Sequence, residues 1–310
     1  MTNTMRRKTN MEDRRKSVSS DVITRAYMDS LLMEVRHLDA VAPDTSLTLW
    51  GKQFATPILT AALSHMERVA PGGMAKMAQG AHMAGAAVFS GMGPMAELEA
   101  MCKTGASVIK IIKPYADRES IRAKIRHAEA CGAMAVGIDI DHAFRRGGYD
   151  EIEGMAMYPM TTAEIAELVR FTHLPFVIKG VLSRQDARKC LDAGVQGMVV
   201  SHHNGRLDTA VPPVMMLPEI LDETGGQVPL FVDCAIQSGL DVFKALALGA
   251  TACCVGRPLM PALKDKGAEG VAEVFRSMTA DLAYTMAMTA TPDLQHIDRS
   301  IVHPAPFTWR

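Results

Sequence analysis

Several protein classes are excluded by what this chain has little of. Its charges nearly cancel, with a formal net charge of -1 over 310 residues. Bulk electrostatics therefore gives no basis for binding nucleic acid or an anionic membrane. The six cysteines, Cys102, Cys131, Cys190, Cys234, Cys253 and Cys254, form no C-x-x-C pair and no metal-ligand spacing. They read as small hydrophobes buried in a protein of the reducing cytoplasm, and no metal is expected. No signal peptide is recognisable, and no apolar run is long enough to span a bilayer.

What is present is ample core material, 48% of the chain being hydrophobic, arranged as a strict alternation of strands and helices. Residues 1–20 are polar and basic and read as a solvated tail. Residues 21–56 read as a lead-in segment, with a helix over Val22–Leu38 running into extended chain. From Pro57 onward eight strand–helix units follow, the strands being Pro57–Ala62, Ala86–Ser90, Ser107–Ile112, Ala133–Asp139, Phe176–Lys179, Gly197–Ser201, Pro229–Asp233 and Ala252–Val255. Asp141–Pro159 reads as a loop. The strands are short continuous apolar runs, as expected when both faces are buried. Helix starts carry caps at Thr161/Thr162, Ser183 and Ser238, and Gly132, Gly194 and Gly249 stand where helices end. Eight units predict a single (β/α)8 TIM barrel over residues 57–310. The absence of G-x-G-x-x-G after the first strand argues against a Rossmann fold.

A parallel barrel gathers its strand ends around one mouth. Those ends carry Ala61-Ala62, Ser90, Ile112, Asp139/Asp141, Lys179, Ser201/His203/Arg206, Asp233 and Gly256-Arg257. The stretch Val177–Arg206 alone delivers a Lys, a His and an Arg. Lys179 is either a snorkelling rim residue, a Schiff-base lysine or a cation beside a cofactor that becomes anionic. His203 suits a base near neutral pH, Arg206 offers a fork for a carboxylate, and Asp141 could orient the histidine. The loops at Asp233–Gly239 and Val255–Pro258 lead into helix N-termini in the last two units, and with Arg257 they suit a phosphate.

These residues resemble the FMN-dependent α-hydroxy-acid oxidases and dehydrogenases. The likeness rests on Ile178-Lys179-Gly180, Ser201-His202-His203-Asn204-Gly205-Arg206, Gly239–Ala250 (GLDVFKALALGA), Val255-Gly256-Arg257-Pro258 and the ending Thr285–Thr289. It covers roughly residues 45–300. It implies FMN as cofactor, a small-molecule 2-hydroxy acid as substrate and a homo-oligomer, a tetramer in much of the family. By position it implies Lys179 beside the flavin N1/O2 edge, His203 as base, Arg206 on the substrate carboxylate and Asp141 paired with His203. Ala62, Leu63 and Ser64 would face the flavin through backbone groups, and Ser90 would touch the ring. Ser201, Asp233, Ala235, Gln237, Gly256 and Arg257 would line the ribityl-phosphate side.

The chain also departs from the family. The third-strand Gln and Tyr appear as Lys110 and Ile112, and the fourth strand ends Asp139-Ile140-Asp141-His142-Ala143 instead of Thr-x-Asp-Thr-Pro. The phosphate-loop Gly-Gly is Cys234-Ala235, and its Arg is Gln237. Arg145 or Arg146 could replace the second carboxylate-binding Arg. Two rival readings stand beside hydroxy-acid oxidation. One is a phosphate-binding barrel of other chemistry, like type 2 isopentenyl-diphosphate isomerase or IMP dehydrogenase, with Cys234 as a thiol nucleophile. The other is an inactive flavin-binding scaffold.

Overall fold

The computed structural model describes residues 19–204 and 206–305. The expected tail at residues 1–20 falls almost wholly outside them. Eight strands form one parallel sheet: β1 (Ile58–Thr60), β2 (Val88–Ser90), β3 (Val108–Ile112), β4 (Ala135–Asp139), β5 (Phe176–Val181), β6 (Gly197–Val200), β7 (Leu230–Val232) and β8 (Ala252–Val255). From β2 to β8 each strand pairs with the next in sequence, and β8 pairs with β1, giving the order β1-β8-β7-β6-β5-β4-β3-β2. The helices between them cover the outside, making a (β/α)8 barrel.

The seam between β1 and β2 closes through a side chain. The Thr60 hydroxyl donates to the Phe89 carbonyl at 3.0 Å and accepts from the Phe89 N–H at 2.9 Å. Just above it, the Gly91 N–H donates to the Leu63 carbonyl at 2.8 Å. Alternate residues fill the inside of the barrel, among them Leu59, Phe89, Ile109, Ile111, Val177, Val199 and Phe231. The outward residues Val88, Val108, Ile112, Val136 and Ile178 meet the helices. A hairpin of Leu47–Leu49 and Lys52–Phe54 plugs the end where the strands begin. Its Trp50 ring lies 5.9 Å from Phe231, and its indole N–H donates to the Gln196 carbonyl at 3.1 Å. The opposite end is therefore the open mouth.

The helix caps fall where the sequence puts them. Thr161 makes a capping box with Glu164, Ser183 accepts from the Asp186 N–H, and Ser238 accepts from the Asp241 N–H. Gly132, Gly194 and Gly249 take positive φ at helix ends. Two expectations need correction. The first helix spans Ser20–Ser30 and stops well short of Leu38. Leu31–Met33 then pairs antiparallel with Val302–Pro304, so the two ends of the described chain are tied together. The stretch Asp141–Pro159 is not plain loop: it folds into two small hairpins, Phe144–Arg145 with Gly148–Tyr149 and Glu151–Ile152 with Met155–Ala156.

Thr60→Val keeps the shape but strands a buried N–H and a buried carbonyl on Phe89. A loss of about 2–4 kcal/mol is expected in urea unfolding, whereas Thr60→Ser should lose much less.

Candidate active site

Strand alternation decides which side chains reach the mouth. On β3 the inner series is Ile109, Ile111 and then Lys113, while Ile112 faces the helices. Lys110 also lies on the outer side: its ammonium reaches Ser90 Oγ at 3.4 Å and the Gly91 carbonyl. Burial pulls it down to about 8. The mouth positions of the third strand are therefore Ile111 and Lys113, one residue from those read in the sequence. A slip of one residue changes the face of every side chain in a strand. For the same reason Ser90 turns outward, and Gly91 takes the inner position. A Cβ there would collide with Ser64 Oγ and with the Ala62 and Leu63 carbonyls, so the loop after β1 packs directly on Gly91.

The register of β4 against β5 sets Asp139 beside Lys179. A bulge at Gly180, with φ +101, then shifts the register before Val181 pairs with Val200. A Cβ on Gly180 would come within 2.8 Å of the Asp141 carboxylate, so the bulge glycine makes room for Asp141. His203 receives both neighbours. Its Nδ1 lies 2.8 Å from Asp141 Oδ1, 3.5 Å from Asp139 Oδ1 and 3.2 Å from Lys179 Nζ. Lys179 is buried and also faces Ser201 Oγ at 3.4 Å and Asp233 Oδ2 at 3.7 Å. Lys113 donates to Asp139 Oδ2 at 2.7 Å.

Charges here are set by their neighbours. Burial alone would lower the Lys179 ammonium, but Asp139, Asp233 and Asp141 outweigh it and hold it above the ordinary lysine range. Burial opposes ionisation of Asp139 as well, yet Lys179, His203 and Lys113 keep its carboxyl well below the usual range. Burial and the Asp139 charge push Asp141 up. Burial would favour neutral His203, but the nearby Asp139 and Asp141 carboxylates prevail and lift it to about 9. Asp139 Oδ1 and Asp141 Oδ2 are buried acceptors with no hydrogen-bond donor among the described residues. A bound group carrying N–H or O–H would satisfy them.

Arg206 reaches the same mouth but is held. It donates to Asp150 Oδ2 at 2.9 Å, and it contacts the His142 ring. His142 in turn faces His203, Nε2 to Nε2, at 3.3 Å. Arg145 and Arg146 are not brought to this cluster: both are exposed in the hairpin, and Arg146 pairs with Asp208 at 3.0 Å. Lys113, His142 and Asp150 are mouth residues to which the sequence reading gives no role. A signal for the first exists in the period of two that continues Ile109 and Ile111. The other two lie in a segment whose hairpins only the folded chain reveals.

On the far side, a cavity of about 180 Å³ is lined by Leu63, Asn204, Asp233, Ala235, Gln237, Gly256 and Arg257, among others. Cys234 and Ala235 both adopt left-handed backbone, at φ +71 and +60. The Gln237 side chain is exposed, and its backbone N–H donates to Asp241 at 3.0 Å. Arg25 of the first helix grips Asp241 with both ends of its fork and donates to the Ala235 carbonyl, each at 2.9 Å. His202 is pinned by Thr24 at 2.8 Å.

Comparison with known proteins accords with this layout. A family model described as FMN-dependent dehydrogenase matches residues 16–159 and 145–304. The chain belongs to that family. It is 30% identical to an L-lactate oxidase of Roseobacter sp. (strain GAI101) over 292 residues, covering 81% of this chain and 79% of the relative. It is 28% identical to a glycolate oxidase of Spinacia oleracea over 300 residues, covering 85% and 81%. A solved mandelate oxidase with (S)-2-phenylpropionate superposes with a TM-score of 0.83 at 29% identity, covering 93% of this chain and 90% of that one.

FMN is accordingly the cofactor, and the residues present fit it. The Asp233–Gln237 turn and Gly256 line one pocket together. Arg257 and the helix beginning at Leu259 add positive potential on the same side. The departure from the family's Gly-Gly has a visible cost, because Cys234 and Ala235 keep the glycine backbone with side chains attached. Ala235→Gly is therefore expected to stabilise the protein by about 0.5–1 kcal/mol, read as a higher urea midpoint at unchanged slope, with FMN binding retained.

Proposed function

We propose that this FMN-dependent oxidoreductase converts a 2-hydroxy acid to the 2-keto acid. Lactate, glycolate and mandelate, named for its relatives and structural neighbour, are all 2-hydroxy acids. The observation that carries the reading is the His203–Asp141 pair at 2.8 Å, with the Lys179 ammonium 3.2 Å from the same imidazole. Asp141 fixes the proton on Nδ1, which leaves Nε2 to take the proton from the substrate hydroxyl. Arg206 holds the substrate carboxylate, and Asp150 marks its docking position at rest. Lys179 supplies a fixed, water-excluded cation at the base of the mouth. Bound FMN supplies the acceptor for two electrons.

Thiol chemistry at Cys234 is disfavoured. Burial and the neighbouring Asp233 hold that thiol far above the usual cysteine range, so it carries no thiolate. It donates to Asp233 at 3.0 Å and packs beneath the phosphate side.

Anaerobic mixing with a panel of 2-hydroxy acids should bleach the flavin absorbance, and absence of bleaching across the panel would refute the reading. His203→Ala should stay yellow and bleach about 100- to 10,000-fold more slowly. A base works only when deprotonated, and His203 is lifted to about 9. The bleaching rate should therefore climb with pH and level off near pH 9. Asp141→Asn removes an anionic partner and should move that limb to lower pH.

A further inference from the structure

The first helix, Ser20–Ser30, presents one face to the cofactor side of the mouth. Thr24 and Arg25 follow Asp21 by three and four residues, so the three side chains share that face. Each meets a different loop of the barrel. Thr24 bonds to His202 after β6 at 2.8 Å. Arg25 bonds to Ala235 and Asp241, both between β7 and β8, at 2.9 Å. Asp21 pairs with Arg257 after β8, its Oδ2 lying 2.5 Å from Nη2. The first two contacts brace the fold. The third ends on a side chain that lines the cavity of about 180 Å³.

Asn204 completes the arrangement. Its backbone is left-handed at φ +41, which asparagine tolerates. With its amide oriented to suit its neighbours, it donates to Asp21 Oδ1 at 2.5 Å and accepts from Arg257 Nη2 at 2.9 Å. Both bonds to the guanidinium end on Nη2. The N–H groups of Nη1 and Nε have no acceptor among the described residues and are left for another group. Asn204 and Arg257 are walls of the cavity, whereas Asp21 is not among its lining residues. The carboxylate therefore stands behind the guanidinium and does not take the place of a ligand.

An exposed ion pair adds little stability by itself, and the Arg257 side chain is 57% exposed. What the pair does fix is direction. A long exposed arginine loses rotamer freedom when it binds an anion, and a side chain already held loses less. We propose that Asp21, with Asn204, is a positioning residue for the cofactor: it holds Arg257 at the cavity wall with Nη1 and Nε free for the FMN phosphate. The helix that precedes the barrel is thereby part of the cofactor site, and its contribution is confined to the phosphorylated flavin. Asp21 acts through Arg257 and not on the ligand. The proposal rests on FMN as the cofactor and is independent of which acid is oxidised.

The test is flavin affinity, read without turnover. Full-length holoprotein is stripped of flavin by dialysis, and FMN or riboflavin is titrated back while flavin fluorescence is followed. Asp21→Ala should weaken FMN binding about 10-fold, the size of one lost hydrogen bond. Riboflavin, which has no phosphate, should bind that variant as it binds the wild type. Asp21→Asn keeps an oxygen for Arg257 and should hold FMN within about 3-fold of wild type. In an Arg257→Ala background, Asp21→Ala should bring no further loss. If riboflavin binds too weakly to titrate, that double-variant comparison decides. Tighter FMN binding by Asp21→Ala would show the carboxylate competing with the phosphate, and overturns the proposal. Equal losses for FMN and riboflavin also overturn it, because they mark a brace of the fold alone. So does an unchanged FMN affinity, or a full second loss in the Arg257→Ala background. A protein that follows these expectations but is bleached by no 2-hydroxy acid would sink the reaction reading and leave the role of Asp21 in place.

Discussion

A wholly buried ammonium dictates much of this structure. Lys179 sits at the end of an apolar strand, out of reach of water, and it persists only because carboxylates surround it. Asp139 comes from the neighbouring strand in register, Asp233 from two strands away, and Asp141 from the turn beyond β4. Those carboxylates in turn require further cations. Lys113 takes one oxygen of Asp139, and His203 bonds to Asp141. Each charge is therefore a condition for the next. The barrel supplies what such a network needs, namely strand ends that hold backbone positions fixed while the interior below is dry.

This interdependence explains why the departures from the family pattern come as a set. An aspartate at 139 adds a buried negative charge, and Lys113 on the adjacent strand meets it at 2.7 Å. His142 lies against the Arg206 guanidinium, which Asp150 holds at 2.9 Å. Without Lys113, Asp139 would lose the partner of one buried oxygen. At the phosphate side Cys234 and Ala235 take a left-handed course that a Gly-Gly pair would adopt without strain.

Much of this was legible in the chain itself. Short apolar runs, glycine stops and Ser/Thr caps give the eight units, because each signal is local. Lys179, His203, Arg206 and Asp141 converge because a closed parallel barrel brings strand ends together. What the pattern did not yield was facing. Lys110 and Lys113 both lie in or just beyond one apolar run, and only the inward place of Ile109 and Ile111 shows that Lys113 enters the mouth. Nor does the polar stretch after Asp141 reveal that two hairpins turn Asp150 inward onto Arg206, because that contact spans 56 residues. Arg25 is a similar case, an ordinary helix arginine until Asp241 is placed beside it.

The first helix has a consequence for how the protein is made. Thr24 meets His202 across 178 residues, and Arg25 meets Ala235 and Asp241 across 210 and 216. Contacts of such separation form late, since the loop they close must first be brought together. During synthesis this helix emerges before every strand of the barrel, and its partners Ala235 and Asp241 emerge only after the seventh. Seven of the eight strands can exist before this brace can. The pocket for the cofactor phosphate is therefore completed only after the seventh strand has emerged, which ties cofactor loading to a late stage of folding.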